Sequence, residues 1–341
     1  MSIRKIAKMT NLSIATVSNV LNGTRPTSES SRQKVMEAAE QIGYRPNLAA
    51  RMLRTQKSNT IAYIIPTDEH DRNANFFYMD VLLGIHQKLR ETGYSVLVAN
   101  YSAANEGERS LSALEVFKKQ WVDGVIFVPS SRNRAQLDAL REMKVPFVLA
   151  DRQVDGDDYS SVTSDNEQGT YDAVQLLGSC GRRRIGLIGG GVQNSSGYER
   201  CRGYTRAIEA LGQDTGTDLM VLVSEFSTDR GKSATRTLLE RGVDGILVAD
   251  NALMVGVVEE LQHRQVRIPD DVGIVGYDDF DWMKFTSPPL TTVCQQAHRM
   301  GYAAAQMMMD QLAGQTENRR VKLETSLILR ASHGTPEDFG G

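Results

Sequence analysis

Three aspartates stand at matching places along this 341-residue sequence. Asp151 follows the apolar run PFVLA, Asp250 follows GILVA, and Asp278 follows GIVGY. A second polar group comes next each time: Arg152, Asn251 and Asp279. Arg200 opens a helical stretch, Gln295 follows TTVC, Phe226 follows VLVS, and Phe76-Phe77 lies beyond the first apolar run. Carboxylates and guanidinium forks take hydroxyls in paired hydrogen bonds, and aromatic faces take C–H surfaces. The set suits a small, neutral, polyhydroxylated ligand. A phosphorylated one would call for more cation than Arg152 and Arg200 supply. Taken singly, an Asp at a strand end is usually the cap of a following helix; it is the convergence of several such groups on one cleft that points to a ligand.

A second constellation lies near the start, in Ser13 to Gly23, SIATVSNVLNG. Ser13 reads as an N-cap, and Val17, Val20 and Leu21 form one apolar stripe at helical spacing. Thr16, Ser18, Asn19 and Asn22 make the other face polar, and Asn22-Gly23 ends the helix. A preceding helix over Ser2 to Met9 turns Ile3, Ile6 and Ala7 inward, with only Thr10 to Leu12 between. Two short helices at so tight a turn form the helix-turn-helix unit, whose second helix enters the DNA major groove. A third helix, capped by Ser28 and closed by Gly43, adds Val35, Ala38, Ala39 and Ile42 to a small core. In the following stretch, Asn47 could cap a short helix to Leu53. Leu53 beside Arg54 has the chemistry of a minor-groove wedge.

Charge separates the two constellations. Residues 1–58 carry ten Lys or Arg against three acids, a net of +7; the whole chain is −3, leaving −10 for the rest. A basic module meeting phosphate, joined to an acidic body that does not, is the arrangement expected.

Enzyme chemistry finds little support. The glycines of GLIGGG follow a strand, yet a dinucleotide fingerprint starting at Gly189 would need its last glycine at Asn194. His70, His86, His263, His298 and His333 are scattered, without a nucleophile motif or metal spacing. No cofactor or metal is expected. Cys180, Cys201 and Cys294 are few and far apart, which suits reduced thiols. No long apolar run or apolar leader is present, so a cytoplasmic protein is expected.

The elements that must position the cleft residues follow from the texture after Thr60. Strands are expected at 61–65, 95–99, 124–128 and 147–150, then at 185–189, 220–223, 245–248 and 273–277. Helices are expected at 79–92, 111–120, 169–179, 202–211, 230–241 and 253–264. Such alternation gives parallel sheets with helices on both faces. Two series make two lobes, and ligands of open α/β sheets bind beyond the carboxyl ends of the strands. The stretch 300–312 reads as a core helix, with no heptad tail after it.

The domains expected are a helix-turn-helix domain at 1–45, a hinge or linker at 46–59 and a core at 60–333. Within the core, lobe 1 is placed at about 60–160 and 293–320, and lobe 2 at about 161–292 and 321–333. Residues 334–341 read as a disordered tail.

The run from IRKIAKMTNLSIATVSNVLNG through YRPNLAARMLR resembles the LacI/GalR family of bacterial transcription regulators. The likeness continues through SDNEQGTYDAVQLL, RRIGLIGG, ERCRGYTRAIEALG, GYDDF and SPPLTTV to LILRAS, in family order. The resemblance implies a helical head on a core with the periplasmic sugar-binding fold. It implies base contacts by Ile14, Ala15 and Asn19, and phosphate contacts by Thr16, Ser18, Asn22 and Arg25. Many relatives carry Arg where this chain has Asn19, so no operator sequence carries over. Leu53 matches the hinge leucine that pries open the central base step, flanked by Arg54 in the minor groove. Arg200, Asp250 and Asp278 match effector-contacting positions. Phe76, Phe77, Asp151, Arg152, Phe226 and Gln295 match the pattern of ribose-type binding proteins.

The expectation is therefore a repressor that binds a pseudo-palindromic DNA operator as a homodimer. A small effector, a free monosaccharide such as a pentose, would control it. The alternatives are an effector that is a phosphorylated sugar or nucleobase, and a periplasmic sugar-binding transport protein. The basic head and the lack of a leader speak against the last.

Overall fold

The computed structural model describes residues 3–22, 25–44, 57–67, 74–102, 122–213 and 216–335. It divides into two compact units, Met1–Ser58 and Asn59–Gly341. The helix end at Gly23, the hinge helix with Leu53 and Arg54, the helix at 111–120 and the tail from 336 lie outside the described residues.

The first unit holds three helices: α1 (Ile3–Thr10), α2 (Ile14–Asn22) and α3 (Glu29–Gln41). Asn11 takes a left-handed backbone, φ 53°, and the Leu12 N–H reaches back to the Ala7 carbonyl at 3.2 Å. That bond closes α1 as a Schellman turn with Asn in the place glycine usually fills. The chain then re-enters a helix at once, because Ser13 Oγ accepts the Thr16 N–H at 3.0 Å. Gly43, φ 59°, closes α3 in the same way, with Tyr44 N–H on the Ala39 carbonyl at 2.8 Å. Ile6, Ala7, Val17, Val35, Ala38 and Ala39 form the buried core, with Ile3, Val20, Leu21 and Ile42 packed around it.

The second unit contains two six-stranded sheets. The chain runs β1 (Thr60–Thr67), α4 (Ala74–Thr92), β2 (Ser95–Ser102), β3 (Gly124–Phe127), α5 (Ala135–Glu142), β4 (Phe147–Asp151) and β5 (Ser160–Ser164). Next come α6 (Asn166–Ser179), β6 (Ile185–Gly190), α7 (Ser195–Ala210), β7 (Met220–Val223), α8 (Thr228–Glu240), β8 (Gly245–Val248), α9 (Asn251–His263) and β9 (Gly273–Tyr277). The chain closes with β10 (Thr291–Cys294), α10 (Ala297–Leu312), β11 (Arg320–Leu323) and β12 (Ser326–Ile328).

The sheet orders are β11-β5-β4-β3-β1-β2 and β12-β10-β9-β8-β6-β7. Every pairing is parallel except β10 with β12. The second sheet thus repeats the order of the first, with its edge strand β12 reversed relative to β11. Helix α10 packs along α4 at very close range: the His298 carbonyl occupies the space a side chain at Gly84 would need, and the Val81 carbonyl does so for Gly301. Met300, Ala304, Ala305 and Met308 are buried, as expected for a core helix.

The crossings between lobes differ from the boundaries read in the sequence. β5 and β11 both belong to the first sheet, and β10 to the second. Lobe 1 therefore extends through Ser164 and takes the returning chain only after Cys294, keeping it through Leu323. β5 is SSVTS, a fully buried strand made mostly of hydroxyl residues, so no apolar run announces it. Helices α4, α6 and α7 begin three to seven residues earlier than periodicity suggests. The first turns of α6 and α7 are set by polar caps, Asp165 and Asn194, rather than by an apolar stripe.

Candidate functional site

The carboxyl ends of both sheets border one cleft, about 520 Å³ of space with its open mouth included. Eight of the nine cleft residues named from the sequence line it: Phe77, Asp151, Arg152, Arg200, Phe226, Asp250, Asp278 and Gln295. Phe76 does not. Its ring is 63% exposed and meets Phe280 of the other lobe, centroids 5.8 Å apart. Consecutive residues of a helix point about 100° apart, so only one ring of the Phe76-Phe77 pair can face inward.

Asp278 is the best-held group. It is buried, its Oδ2 accepts Asn251 Nδ2 at 2.7 Å, and its Oδ1 accepts Gln295 Nε2 at 2.8 Å. A carboxylate is an acceptor only, so both amides must turn their nitrogens towards it. Their oxygens, Asn251 Oδ1 and Gln295 Oε1, are then left buried without a partner in the cleft lining. Acceptors left over in this way are placed to take hydrogen bonds from a ligand's donors.

Lobe 1 presents Asp151 and Arg152. Asp151 sits on a tight turn, φ 65°, with the Arg152 N–H on the Ala150 carbonyl at 2.7 Å. Tyr78 Oη donates to Asp151 Oδ2 at 3.4 Å, and Arg152 Nε lies 3.4 Å from the same oxygen. Burial pushes the Asp151 carboxyl above its ordinary range; Arg152 and Arg200 pull it down, and Asp278 adds to the rise. Arg152 Nε is itself buried without a hydrogen-bond partner.

Arg200 is fixed on three sides. Nε donates to Asn166 Oδ1 at 2.9 Å, Nη1 donates to the Ala249 carbonyl at 2.6 Å, and the guanidinium lies 3.9 Å from the Tyr277 ring centre. Asp250 also serves as the cap its position allows, accepting the Ala252 N–H at 2.9 Å at the start of α9. Asp279 turns away from the cleft to Arg330, Nη2 to Oδ2 at 2.9 Å, and to Thr292. Burial would raise its carboxyl, but these partners hold it below the ordinary range.

The lobes also touch beside the cleft. Arg132 of lobe 1 stacks 4.2 Å from the Tyr198 ring of α7, and its N–H donates to the Gln193 carbonyl at 2.8 Å. The Gln153 N–H donates to Ser195 Oγ at 2.8 Å.

The sequence reading does not name Tyr78, Asn194 and Ser196, and it does not single out Asn251 as a ligand contact, although all four line the cleft. Asn251 was visible beside Asp250, but adjacency alone does not show which of two polar neighbours faces the ligand. Asn194 and Ser196 belong to the capped first turn of α7, which periodicity does not register.

In the helical head, Ile14 and Ala15 are exposed on the first turn of α2, with Ile14 52% accessible. Thr16, Ser18 and Asn19 are half-buried on the same helix. Thr16 Oγ1 lies 2.8 Å from Ser13 Oγ, so its hydroxyl is tied to the cap. Arg25 is exposed, as are Arg4, Lys5, Lys8, Arg32 and Lys34. Asn22 is the last residue of α2.

Among the described residues, no group of His, Cys, Asp and Glu could hold a metal ion, and no helix is long and apolar enough to cross a membrane.

Residues 2–47 match the family model of bacterial regulatory proteins, lacI family, and residues 174–333 match the periplasmic binding protein-like domain. The HTH-type transcriptional regulator CelR of Thermobifida fusca is 33% identical over 336 residues, covering 97% of this chain and 98% of that protein. Catabolite control protein A of Priestia megaterium is 31% identical over 310 residues, covering 90% and 91%. Among solved structures, a CelR–cellobiose complex has a TM-score of 0.73 at 30% identity, covering 97% of this chain and 99% of that one. The lac repressor dimer bound to operator and an anti-inducer shares the fold, with a TM-score of 0.86 at 23% identity over 98% and 99% of the two chains.

Proposed function

Because this chain belongs to the lacI family of bacterial regulatory proteins, we propose that it is a cytoplasmic, homodimeric transcriptional repressor whose operator affinity is set by a free monosaccharide. One observation carries the choice of ligand: Asp278 clamped between Asn251 and Gln295, with both amide oxygens left over in the cleft. Those oxygens need hydroxyl donors, and three aspartates disfavour a phosphate. The related regulator solved with cellobiose binds a saccharide too.

Phe77, Asp151, Arg152, Arg200, Phe226, Asp250, Asn251, Asp278 and Gln295 hold the sugar. Phe76 closes against Phe280 beside it. Ile14 and Ala15 supply apolar contact, as to a thymine methyl, and Asn19 pairs with an adenine edge. Thr16, Ser18, Asn22 and Arg25 bind phosphates and set register. Leu53 and Arg54 act at the central minor groove. A ligand that prefers one lobe angle shifts the equilibrium between DNA-binding states by its differential affinity, typically about 1–3 kcal/mol.

The test is a thermal-shift screen of the purified protein against monosaccharides, their phosphates and nucleobases. A ligand that binds only the native state raises the melting temperature. A shift with free pentoses or hexoses is expected. A response confined to phosphorylated sugars or nucleobases would refute the choice of ligand.

A further inference from the structure

Gly190 ends β6 and lines the cleft together with Phe226. Its backbone is not left-handed, unlike the eight glycines of positive φ among the described residues, so the main chain there would accept any L residue. A side chain is excluded for another reason. A Cβ on Gly190 would stand 2.6 Å from Phe226 Cζ and 3.0 Å from Cε1, both too close for carbon atoms. The ring comes from the segment after β7, the strand paired with β6 at Gly190↔Val223. Phe226 is therefore seated against the bare backbone of the neighbouring strand, in the lining of the cleft.

We infer that Gly190 is a specificity-determining residue: its missing side chain sets how deep the Phe226 ring lies, and so which saccharide face fits above it. This rests on the reading of the cleft as a sugar site. The ring offers a flat apolar face to the C–H side of a single sugar ring, while Asp278, Asn251 and Gln295 take hydroxyls. A methyl group at position 190 would displace the ring by about 1 Å, since relaxed carbon contacts lie near 3.5–4.0 Å. The platform would move while every polar contact stayed where it is. The substitution Phe226→Leu removes the ring and would leave room for that methyl group.

The experiment uses four full-length proteins: wild type, Gly190→Ala, Phe226→Leu and the double variant. Melting temperature without ligand is read first, then calorimetric binding of D-ribose, D-xylose, D-glucose and D-galactose. Gly190→Ala is expected to lower the melting temperature when Phe226 is present and to leave it nearly unchanged when combined with Phe226→Leu. It is also expected to weaken the best-bound sugar roughly ten- to a hundredfold, as overpacking does. Equal effects of Gly190→Ala in both backgrounds, or unchanged sugar affinity, would overturn the inference. Binding of none of the sugars to the wild type would overturn the sugar reading itself, and the ligand-free cycle would still show whether Gly190 seats the ring.

Discussion

Asp151 and Asp278 occupy the same place in the two lobes, one ending β4 and the other following β9, and both have left-handed backbones, φ 65° and 62°. Few residues other than glycine tolerate that region, and Asp is among those that do. The turn aims each carboxylate into the cleft from the end of its strand. Strain kept at matching points of two lobes is expected where a ligand is held from both sides.

Asp278→Ala removes the acceptor that orients Asn251 and Gln295. The two amides lose their shared anchor, and the sugar-induced rise in melting temperature should disappear. DNA affinity of the ligand-free protein should stay within about threefold of wild type. Operator binding with and without sugar checks this; a normal response would remove Asp278 from the site.

Asp151 gives a pH dependence of known sign. Its carboxyl is raised in the folded protein, chiefly by burial, so the folded state holds its proton more tightly than the unfolded chain. The stability linked to that proton is present at low pH and is lost as pH rises through the raised value. Asp151→Asn has no such loss. The difference in melting temperature, variant minus wild type, should grow more positive as pH is raised from the ordinary aspartate range towards neutrality. Scans across that interval check it, and a difference that falls with pH would contradict the burial of Asp151 as a strained charge.

The sequence carried the architecture well where apolar runs met helical periods. Seven of the eight strands expected from Ile61 to Tyr277 overlap their observed counterparts within two residues at each end; β2 runs three residues further, to Ser102. β5 was invisible because Ser160, Ser161, Thr163 and Ser164 are buried hydroxyl residues, which look like surface until the sheet closes around them. α5 was also missed, since AQLDALRE is only eight residues, shorter than the window over which a helical period can be read. In the cleft, the groups at strand ends were legible because strand ends are. What could not be read was the direction of neighbouring side chains: Asn251 faces Asp278, and Phe76 leaves the cleft that Phe77 lines. Each depends on side-chain direction within one turn of helix.

Asn19 and Arg25 separate reading from holding. An Asn that pairs with adenine contributes to one base pair, so Asn19→Ala should cost about 1–3 kcal/mol on the operator and relax preference at that position. Arg25 is exposed and meets phosphate in this reading, so Arg25→Ala should weaken all DNA about equally and reduce the salt slope by about one. Binding isotherms on an operator, its single-base variants and unrelated DNA at several salt concentrations distinguish the two. Equal loss on all DNA for Asn19→Ala would exclude a base contact.

Ile6 tests whether the two units fail separately. Its side chain is fully buried, and the other buried residues of that core are small: Ala7, Val17, Val35, Ala38 and Ala39, with partly buried Ile3, Val20, Leu21 and Ile42 around them. Removing a buried Ile to Ala costs about 2–5 kcal/mol, while a core this small supplies only about 3–5 kcal/mol in total. Ile6→Ala should therefore unfold the head and abolish operator binding at 37 °C. Residues 59–341 form their own compact unit with separate cores, so the main melting transition and its shift by sugar should be unchanged. Calorimetry of the variant with and without sugar, beside an operator-binding assay, reads both halves. A variant that loses the sugar shift along with DNA binding would show that the head and the core unfold as one.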